Sequence, residues 1–135
     1  MKNVAVQITT PKEDQGFVVH VNEMDRLVTL AQQIENAGDG PVILVNKFDV
    51  ALDDISQFLT SWAEDASYFK RQPGYISAQL HRGVAGSGVF LNVAVWESVE
   101  HFRRALQDFH TTAPENVVAA PHLFRKVAVS DVCVA

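Results

Sequence analysis

The sequence contains a single cysteine, Cys133, which is the third residue from the end of the 135-residue chain. A lone thiol cannot form an internal disulfide or a cysteine-based metal cluster, so we expect a reducing compartment, the cytoplasm. No spacing of His, Cys or carboxylate residues is typical of a metal site. No glycine-rich loop opens a helix after a strand, as nucleotide binding requires. We therefore expect no metal and no nucleotide.

Positive charge is also scarce, with 11 Lys and Arg against 16 Asp and Glu and a formal net charge of −5. The only local basic concentrations, Arg71 with Arg82 and Arg103 with Arg104, are too small to follow a phosphate backbone. This balance argues against nucleic acid and anionic membranes as partners. The N-terminus is polar throughout, so neither a signal peptide nor a membrane span is visible.

The most informative stretch predicts two strands joined by a hairpin. The strands are Tyr75–His81 and Val89–Glu97, and Gly83–Gly88 between them holds three glycines in six residues. Glycine adopts positive φ without a steric penalty, so this loop lets the strands reverse and pair. Hydrophobic residues make up 47% of the chain, which is typical of a globular domain of this length.

Apolar spacing predicts a strand and two helices around this hairpin. Val42–Phe48 is almost continuously apolar, as expected of a central strand covered on both faces. Asp53 or Asp54 can cap a long helix after it, and Ser98 can cap a shorter second helix. The apolar stripes are Ile55, Phe58, Leu59, Trp62, Ala66 and Phe69 in the first helix, and Val99, Phe102, Leu106 and Phe109 in the second.

The C-terminal part predicts a loop over Thr111–Asn116, a helical turn over Val117–Ala120 and a closing strand over Leu123–Val129. The order from residue 41 is then strand, helix, strand, strand, helix, strand. This order gives an α+β fold, a four-stranded antiparallel sheet with both helices on one face. The apolar residues predicted on the other face are Ile43, Val45, Leu91 and Val127. A twofold copy of the sheet is the most economical cover for them, so we expect a homodimer.

Residues 1–40 are predicted to form an N-terminal extension of a domain at residues 41–135. Alternation in Val4, Val6 and Ile8 indicates a short strand, and residues 17–21 are a second apolar run. One amphipathic helix is predicted from the helical spacing of Met24, Leu27, Val28, Ala31 and Ile34. Such an arm cannot form a core alone, so we expect it to pack on the main domain or on a partner subunit.

Two asparagines stand in apolar strands. Asn46 shares a strand face with Leu44 and Phe48, and Asn92 lies between Leu91 and Val93. A buried amide needs hydrogen-bond partners. Each asparagine is therefore either satisfied within the core or a hydrogen-bonding group for a ligand between the sheet and the helices.

Several other side chains are candidates for the same site. Trp62 and Trp96 are expected in the core or as pocket walls, and Tyr68 lies off the helix stripe, where its phenol could reach a pocket mouth. His81, beside Arg82, could act as a base or anion stabiliser near neutral pH, and His110 follows the second helix. Surface or capping roles remain open for both histidines.

The segments RQPGYISAQLHR and FLNVAVWESVEHFRRAL closely resemble the antibiotic biosynthesis monooxygenase family, over about residues 41–129. The resemblance implies a ferredoxin-like βαββαβ domain that pairs into a dimeric α+β barrel. It also implies that Asn46 matches an asparagine of the first strand in active members. Oxygenases of this family oxidise anthrone-like polyketides or hydroquinones to quinones with dioxygen and no cofactor, because the ionised substrate itself donates electrons.

Under this resemblance, Asn46, His81 and Arg82 are the candidate catalytic residues. The candidate substrate-binding residues are Phe48, Trp62, Tyr68, Asn92, Trp96 and His110. Two alternatives remain: a dimeric protein that only binds a small hydrophobic ligand or assists a biosynthetic complex, and a haem-binding or haem-degrading protein. The haem-degrading branch carries a tryptophan and a histidine where this chain has Ala105 and a position near Glu115, which disfavours it.

Overall fold

The computed structural model describes residues 4–5 and 20–130 of the chain. Its strands are β1 (Val4–Ala5), β2 (His20–Val21), β3 (Val42–Asp49), β4 (Tyr75–Arg82), β5 (Val89–Trp96), β6 (His110–Thr111) and β7 (Val118–Phe124). Its α-helices are α1 (Leu30–Asn36), α2 (Ile55–Phe69) and α3 (Val99–Gln107). The predicted order of strands and helices from residue 41 is present, and the ferredoxin-like α+β fold is confirmed.

The main sheet has five strands in the order β2-β7-β3-β5-β4, so the prediction of four strands is wrong. The additional strand β2 belongs to the N-terminal segment and pairs in parallel with β7, His20 beside Val118 and Val21 beside Ala119. The four other strands pair antiparallel. A separate two-stranded pair joins β1 to β6.

Strand β3 is central, as its continuous apolar sequence predicts, with β5 on one side and β7 on the other. Alternate residues of β3 face the helices, and of these Val42 and Leu44 are buried. They pack with Trp96 of β5 and with Val99 and Phe102 of α3 in the larger of two core clusters. The face of β3 that carries Asn46 is therefore the face covered by helices.

The hairpin β4–β5 forms with the predicted boundaries to within one residue at each strand end. In its loop, Gly86 adopts a φ of +74°, in the region where glycine is least strained. Gly88 accepts a hydrogen bond from the amide of Val50 (2.9 Å), and a Cβ at Gly88 would collide with the Val50 carbonyl oxygen. This close approach holds the loop against the end of β3.

The two long helices begin close to their predicted caps. Ser98 caps α3 through its hydroxyl, which accepts from the amide of His101 at 3.2 Å, as predicted. Asp54 precedes α2 but its side chain makes no capping bond, because a 3-10 turn over Leu52–Asp54 leads into the helix. Phe58 is buried on the sheet side of α2, whereas Leu59 of the predicted stripe is exposed.

The closing strand lies about five residues earlier than predicted. Val118–Phe124 is a strand, so the predicted helical turn at 117–120 is wrong, and residues 125–130, including Val127, are not in a strand. Ala119, Pro121 and Leu123 face the core in alternation, which the helical interpretation missed. Pro121 is tolerated because β2 pairs only with Val118 and Ala119, so β7 is an edge at Pro121 on that side.

The N-terminal helix is shorter than predicted. It begins at Leu30, because Thr29 and Gln32 form a capping box, and Met24, Leu27 and Val28 before it are exposed. Val6, Ile8 and residues 17–19 lie outside the described residues. The rest of the arm packs on the domain of its own chain: Leu30 is buried in the larger core cluster with Ile34 against it.

Polar contacts also attach α1 to the end of the sheet. The side chain of Gln33 accepts from the amide of Leu123 at 2.8 Å and lies 3.0 Å from Nδ1 of His122. Arg125 donates to the carbonyl oxygens of Ala37, Gly38, Asp39 and Pro41, which connect α1 to β3. The division of the chain at residue 40 nevertheless stays a prediction.

Candidate active site

A cavity of about 130 Å³ lies between the sheet and the helices. Its sheet side includes Asn46 and Phe48 of β3 and Asn92 and Trp96 of β5, and its helix side includes Trp62 of α2. Most of the remaining lining is aliphatic or aromatic. Such a lining favours an apolar ligand and strengthens any hydrogen bond made inside the cavity.

Asn46 and Asn92 face each other across the β3–β5 pair, where they are direct partners in the register. Residues directly opposite in a sheet have Cβ atoms about 5 Å apart, so their side chains are neighbours. Both line the cavity. Two amides thus stand side by side on a surface whose adjacent residues, such as Leu44 and Ala94, are apolar.

The Oδ1 atoms of both asparagines are buried and accept no hydrogen bond from the described residues. Leaving one buried polar atom without a partner costs about 1–3 kcal/mol, and native structures contain few such atoms. An asparagine amide can turn to present either its oxygen or its NH2 group. The pair is therefore suited to a ligand that carries a hydroxyl or carbonyl oxygen.

Asp65 of α2 also lines the cavity. Its Oδ2 accepts a hydrogen bond from the hydroxyl of Thr111 at 2.8 Å. The pKa of Asp65 is raised from its ordinary 3.8 to about 7, chiefly by burial; the hydrogen bond from Thr111 lowers it in part, and the nearby charge of Glu64 adds a smaller increase. The carboxyl group therefore takes up and releases its proton much closer to neutral pH than an exposed aspartate does.

The sequence profile of the antibiotic biosynthesis monooxygenase family matches residues 41–113, more than half of the chain. The chain belongs to this family. Deoxynogalonate monooxygenase from Streptomyces nogalater, a curated relative, is 37% identical over 65 residues, which span 48% of this chain and 54% of that enzyme. The match thus spans about half the length of this curated relative.

Two solved structures of similar fold come from Streptomyces nogalater and Mycobacterium tuberculosis. SnoaB, a cofactor-independent oxygenase, has a TM-score of 0.55 at 26% identity, over 67% of this chain and 96% of SnoaB. A heme-degrading protein has a TM-score of 0.52 at 24% identity, over 67% of this chain and 99% of its own, which shows the fold alone. Both leave about a third of this chain unmatched.

In this member of the family, five of the nine predicted site residues line the cavity: Asn46, Phe48, Trp62, Asn92 and Trp96. The Trp96 side chain is also a core residue, 2% exposed. Its ring stands edge-on to Phe69 and Tyr75, with centroid distances of 6.0 and 5.7 Å. Trp96 therefore combines the two interpretations that its sequence position left open, core packing and pocket wall.

His81 and Arg82 do not reach the cavity. Leu80 is paired with Asn92, so its neighbour His81 lies on the opposite sheet face, where Nδ1 is 3.2 Å from the carbonyl oxygen of Leu91. Arg82 donates to the carbonyl oxygen of Ser87 at 2.8 Å and so fastens the hairpin loop. Within one chain, the expectation that these two side chains join Asn46 in a pocket is not met.

Tyr68 and His110 also lie outside the cavity lining. The Tyr68 hydroxyl donates to the carbonyl oxygen of Ala105 at 2.8 Å, which links α2 to α3. Desolvation and, to a lesser degree, the charge of Asp108 raise the pKa of the Tyr68 phenol. His110 is exposed and its Nδ1 lies 3.2 Å from the Asp108 carbonyl oxygen, so its surface interpretation fits this placement.

The sequence interpretation missed Asp65, although a signal was present. Asp65 lies three residues after Trp62 and seven after Phe58, which places a carboxylate on the apolar stripe of α2. A charged residue at such a position must be paired or change its pKa.

In residues 4–5 and 20–130, no group of three or more His, Cys, Asp and Glu side chains could hold a metal ion. In the same ranges, no helix is long and apolar enough to cross a membrane.

Proposed function

We propose that the protein is a cofactor-independent monooxygenase that oxidises a phenolic aromatic substrate, an anthrone-like compound or a hydroquinone, to a quinone with dioxygen. The observation that carries this proposal is the pair of Oδ1 atoms of Asn46 and Asn92, which are buried and accept no hydrogen bond from the described residues, in an apolar cavity. The similarity to SnoaB, itself a cofactor-independent oxygenase, supports the reaction class.

The proposed chemistry requires little from the protein. An ionised phenol or anthrone is electron-rich enough to reduce dioxygen, so the enzyme needs to favour the anion, orient it and exclude water. The amides of Asn46 and Asn92 would hydrogen-bond the substrate oxygen on which negative charge develops. For an anthrone, the CH2 carbon becomes a carbonyl, one oxygen atom of O2 enters the product and the other leaves as water. For a hydroquinone, one ring C–H becomes C–OH, so the product is a hydroxyquinone and the second oxygen atom again leaves as water.

The volume of the cavity limits the size of the substrate that it can hold. An engineered apolar cavity of about 150 Å³ binds one benzene molecule, and the present cavity measures about 130 Å³. One hydroxylated ring therefore fits beside Asn46 and Asn92, whereas a three-ring substrate requires the cavity to widen. A porphyrin, with four pyrrole rings, is a poorer fit still, and the exposed Glu115 supplies no histidine where the haem-degrading branch carries one.

Oxygen uptake with a graded panel tests this proposal. We expect purified protein without added metal or flavin to consume oxygen with a substituted one-ring hydroquinone, a naphthohydroquinone or anthrone, at rates well above the spontaneous oxidation. A purely ligand-binding protein would instead bind these compounds, measured by quenching of Trp62 and Trp96 fluorescence, and return them unchanged. That outcome would refute catalysis.

We also propose a homodimer formed through the sheet face that lies opposite the helices of the described residues. Leu91 and Phe124 are exposed on this face of the single chain, and Val45, Val93 and Val95 between them are apolar. Lys47 and His122 lie on the same face, so the apolar patch is centred on Val45, Val93 and Val95. An apolar patch with polar residues at its rim is typical of an interface. Location in the cytoplasm, inferred from the lone Cys133, stays a prediction.

The molar mass of the protein in solution tests whether it is a dimer. At micromolar concentration we expect twice the 14.9 kDa chain mass by light scattering. Val93→Lys should yield monomers, because it buries an unpaired charge at the centre of the interface. Leu52→Lys, at an exposed leucine outside the sheet, should leave the dimer intact. A monomeric wild-type protein would contradict the proposal.

A further inference from the structure

Asp65 and Tyr75 are the only titratable side chains among the described residues that line the cavity. Tyr75 is engaged in ring packing with Trp96. Asp65 is thus the one carboxylate that the described residues present to the space beside Asn46 and Asn92. No lysine, arginine or histidine of these residues lines the cavity.

The orientation of the Asp65 carboxyl group is determined by Thr111. The Thr111 side chain is buried, and its Oγ1 accepts a hydrogen bond from the amide of Ala113 at 3.1 Å. Its hydroxyl proton is therefore directed at Oδ2 of Asp65, 2.8 Å away. A hydroxyl that donates to one carboxyl oxygen fixes the group in place while its other oxygen remains a proton acceptor.

We infer that Asp65 is the general base that removes the substrate proton, with Thr111 as its positioning residue. This inference rests on the oxygenase function proposed above. The geometry supports it because the carboxylate shares one apolar cavity with the two carboxamides assigned to the substrate oxygen. Ionisation of the substrate then has both a proton acceptor and hydrogen-bonding groups for the resulting anion.

The other titratable groups near Asp65 in the chain or beside β6 are exposed, unlike Asp65 itself. Glu64 on the same helix is exposed and interacts with the Thr112 hydroxyl (3.2 Å). Asp108 and His110, near the start of β6, are both exposed. Burial raises the pKa of Asp65 to about 7, which is near the optimum for a base that works at neutral pH. The active carboxylate forms as pH rises, so activity should rise through about pH 7.

The proposed steps balance for an anthrone CH2 group. Asp65 takes one proton from the carbon, and the substrate anion passes two electrons to dioxygen as a C–O bond forms. The peroxide recovers the proton from Asp65 and becomes a hydroperoxide. Asp65 then removes the second hydrogen from the same carbon, the O–O bond breaks, and the carbonyl forms. The departing hydroxide takes that proton and leaves as water, so Asp65 is again a carboxylate.

Proton removal can be measured without oxygenation. Under nitrogen in D2O, wild-type protein should accelerate exchange of the anthrone CH2 hydrogens, followed by mass spectrometry after subtraction of the spontaneous rate. Asp65→Asn, which preserves size and can still accept from Thr111, should lower this acceleration and the aerobic turnover by about 100-fold or more. Glu64→Gln removes the same charge one residue away, outside the cavity lining, and should retain both activities.

The pH–rate profile of Thr111→Val distinguishes a positioning role of Thr111 from a merely structural one. In wild-type protein the hydrogen bond from Thr111 lowers the pKa of Asp65. Its removal should therefore raise this pKa and move the midpoint of the pH–rate profile to higher pH. If Asp65→Asn consumes oxygen at a rate within threefold of wild-type protein, with an unchanged pH–rate profile, the assignment of Asp65 as the base is overturned. The oxygenase function would then still stand. If wild-type protein accelerates hydrogen exchange of the anthrone CH2 group in a way that depends on Asp65, but consumes no oxygen, Asp65 is supported as the base and the proposed oxygenase function is refuted. Absence of both activities in wild-type protein would overturn both.

Discussion

Asn46→Leu is expected to lower kcat by at least about 100-fold, the typical loss for one hydrogen-bonding group of an oxyanion site. Leucine is close in size to asparagine, so the cavity keeps its shape and loses only the amide. Because the Asn46 Oδ1 is buried without a partner, its removal should leave the free energy of unfolding unchanged or raise it by about 1 kcal/mol. Loss of activity with retained stability is the signature of a group kept for function.

Two further variants sharpen this test. Asn92→Leu should behave like Asn46→Leu, because the two amides are direct neighbours in the register. Asn116→Leu, the same change at an exposed loop position, should leave turnover unchanged. Wild-type kcat in Asn46→Leu would remove this amide from the mechanism. A large loss of stability would instead show that Asn46 is a structural core residue.

Leu30→Ala is expected to lower the free energy of unfolding by about 3 kcal/mol, a typical value for a fully buried leucine. Leu30 is 3% exposed and packs in the larger core cluster, although it belongs to the segment that the family match leaves out. It also lines the cavity together with Val21 of β2. The arm is therefore expected to be part of the folded domain and one wall of the site.

Leu27→Ala is the matched control for this prediction. Leu27 is 86% exposed and lies three residues before Leu30, so its truncation should change stability by less than about 0.5 kcal/mol. Urea denaturation of both variants, with tryptophan fluorescence as the signal, measures the difference. Equal stability of Leu30→Ala and wild-type protein would show that the arm is a loose tail.

Apolar runs and glycine spacing predicted the central strand and the hairpin, because each of these patterns is required by the local structure that it forms. The continuous apolar run of β3 marks a strand covered on both sides, and the three-glycine loop marks a hairpin. Strand alternation also placed Asn46 on the helix-covered face. The same alternation, followed across the hairpin from Asn92 to Leu80, assigns His81 to the opposite face of the sheet.

Other features depend on tertiary contacts that the sequence does not display. The strand at Val118–Phe124 contains Pro121 and exists because β3 pairs with it along its length. The raised pKa of Asp65 arises from burial by elements far apart in the sequence, with Thr111 as its partner. The late start of α1 was visible, since Thr29 and Gln32 form a capping box that apolar spacing alone overlooked.

Turnover under ¹⁸O2 tests the central claim most directly. Purified wild-type protein, without added metal or flavin, should convert anthrone into a quinone that carries one ¹⁸O atom per molecule, with the second atom in water. Asn46→Leu should yield labelled product at most about one hundredth as fast. A quinone without ¹⁸O, or a reaction that appears only when iron or flavin is added, would contradict cofactor-independent monooxygenation in this cavity.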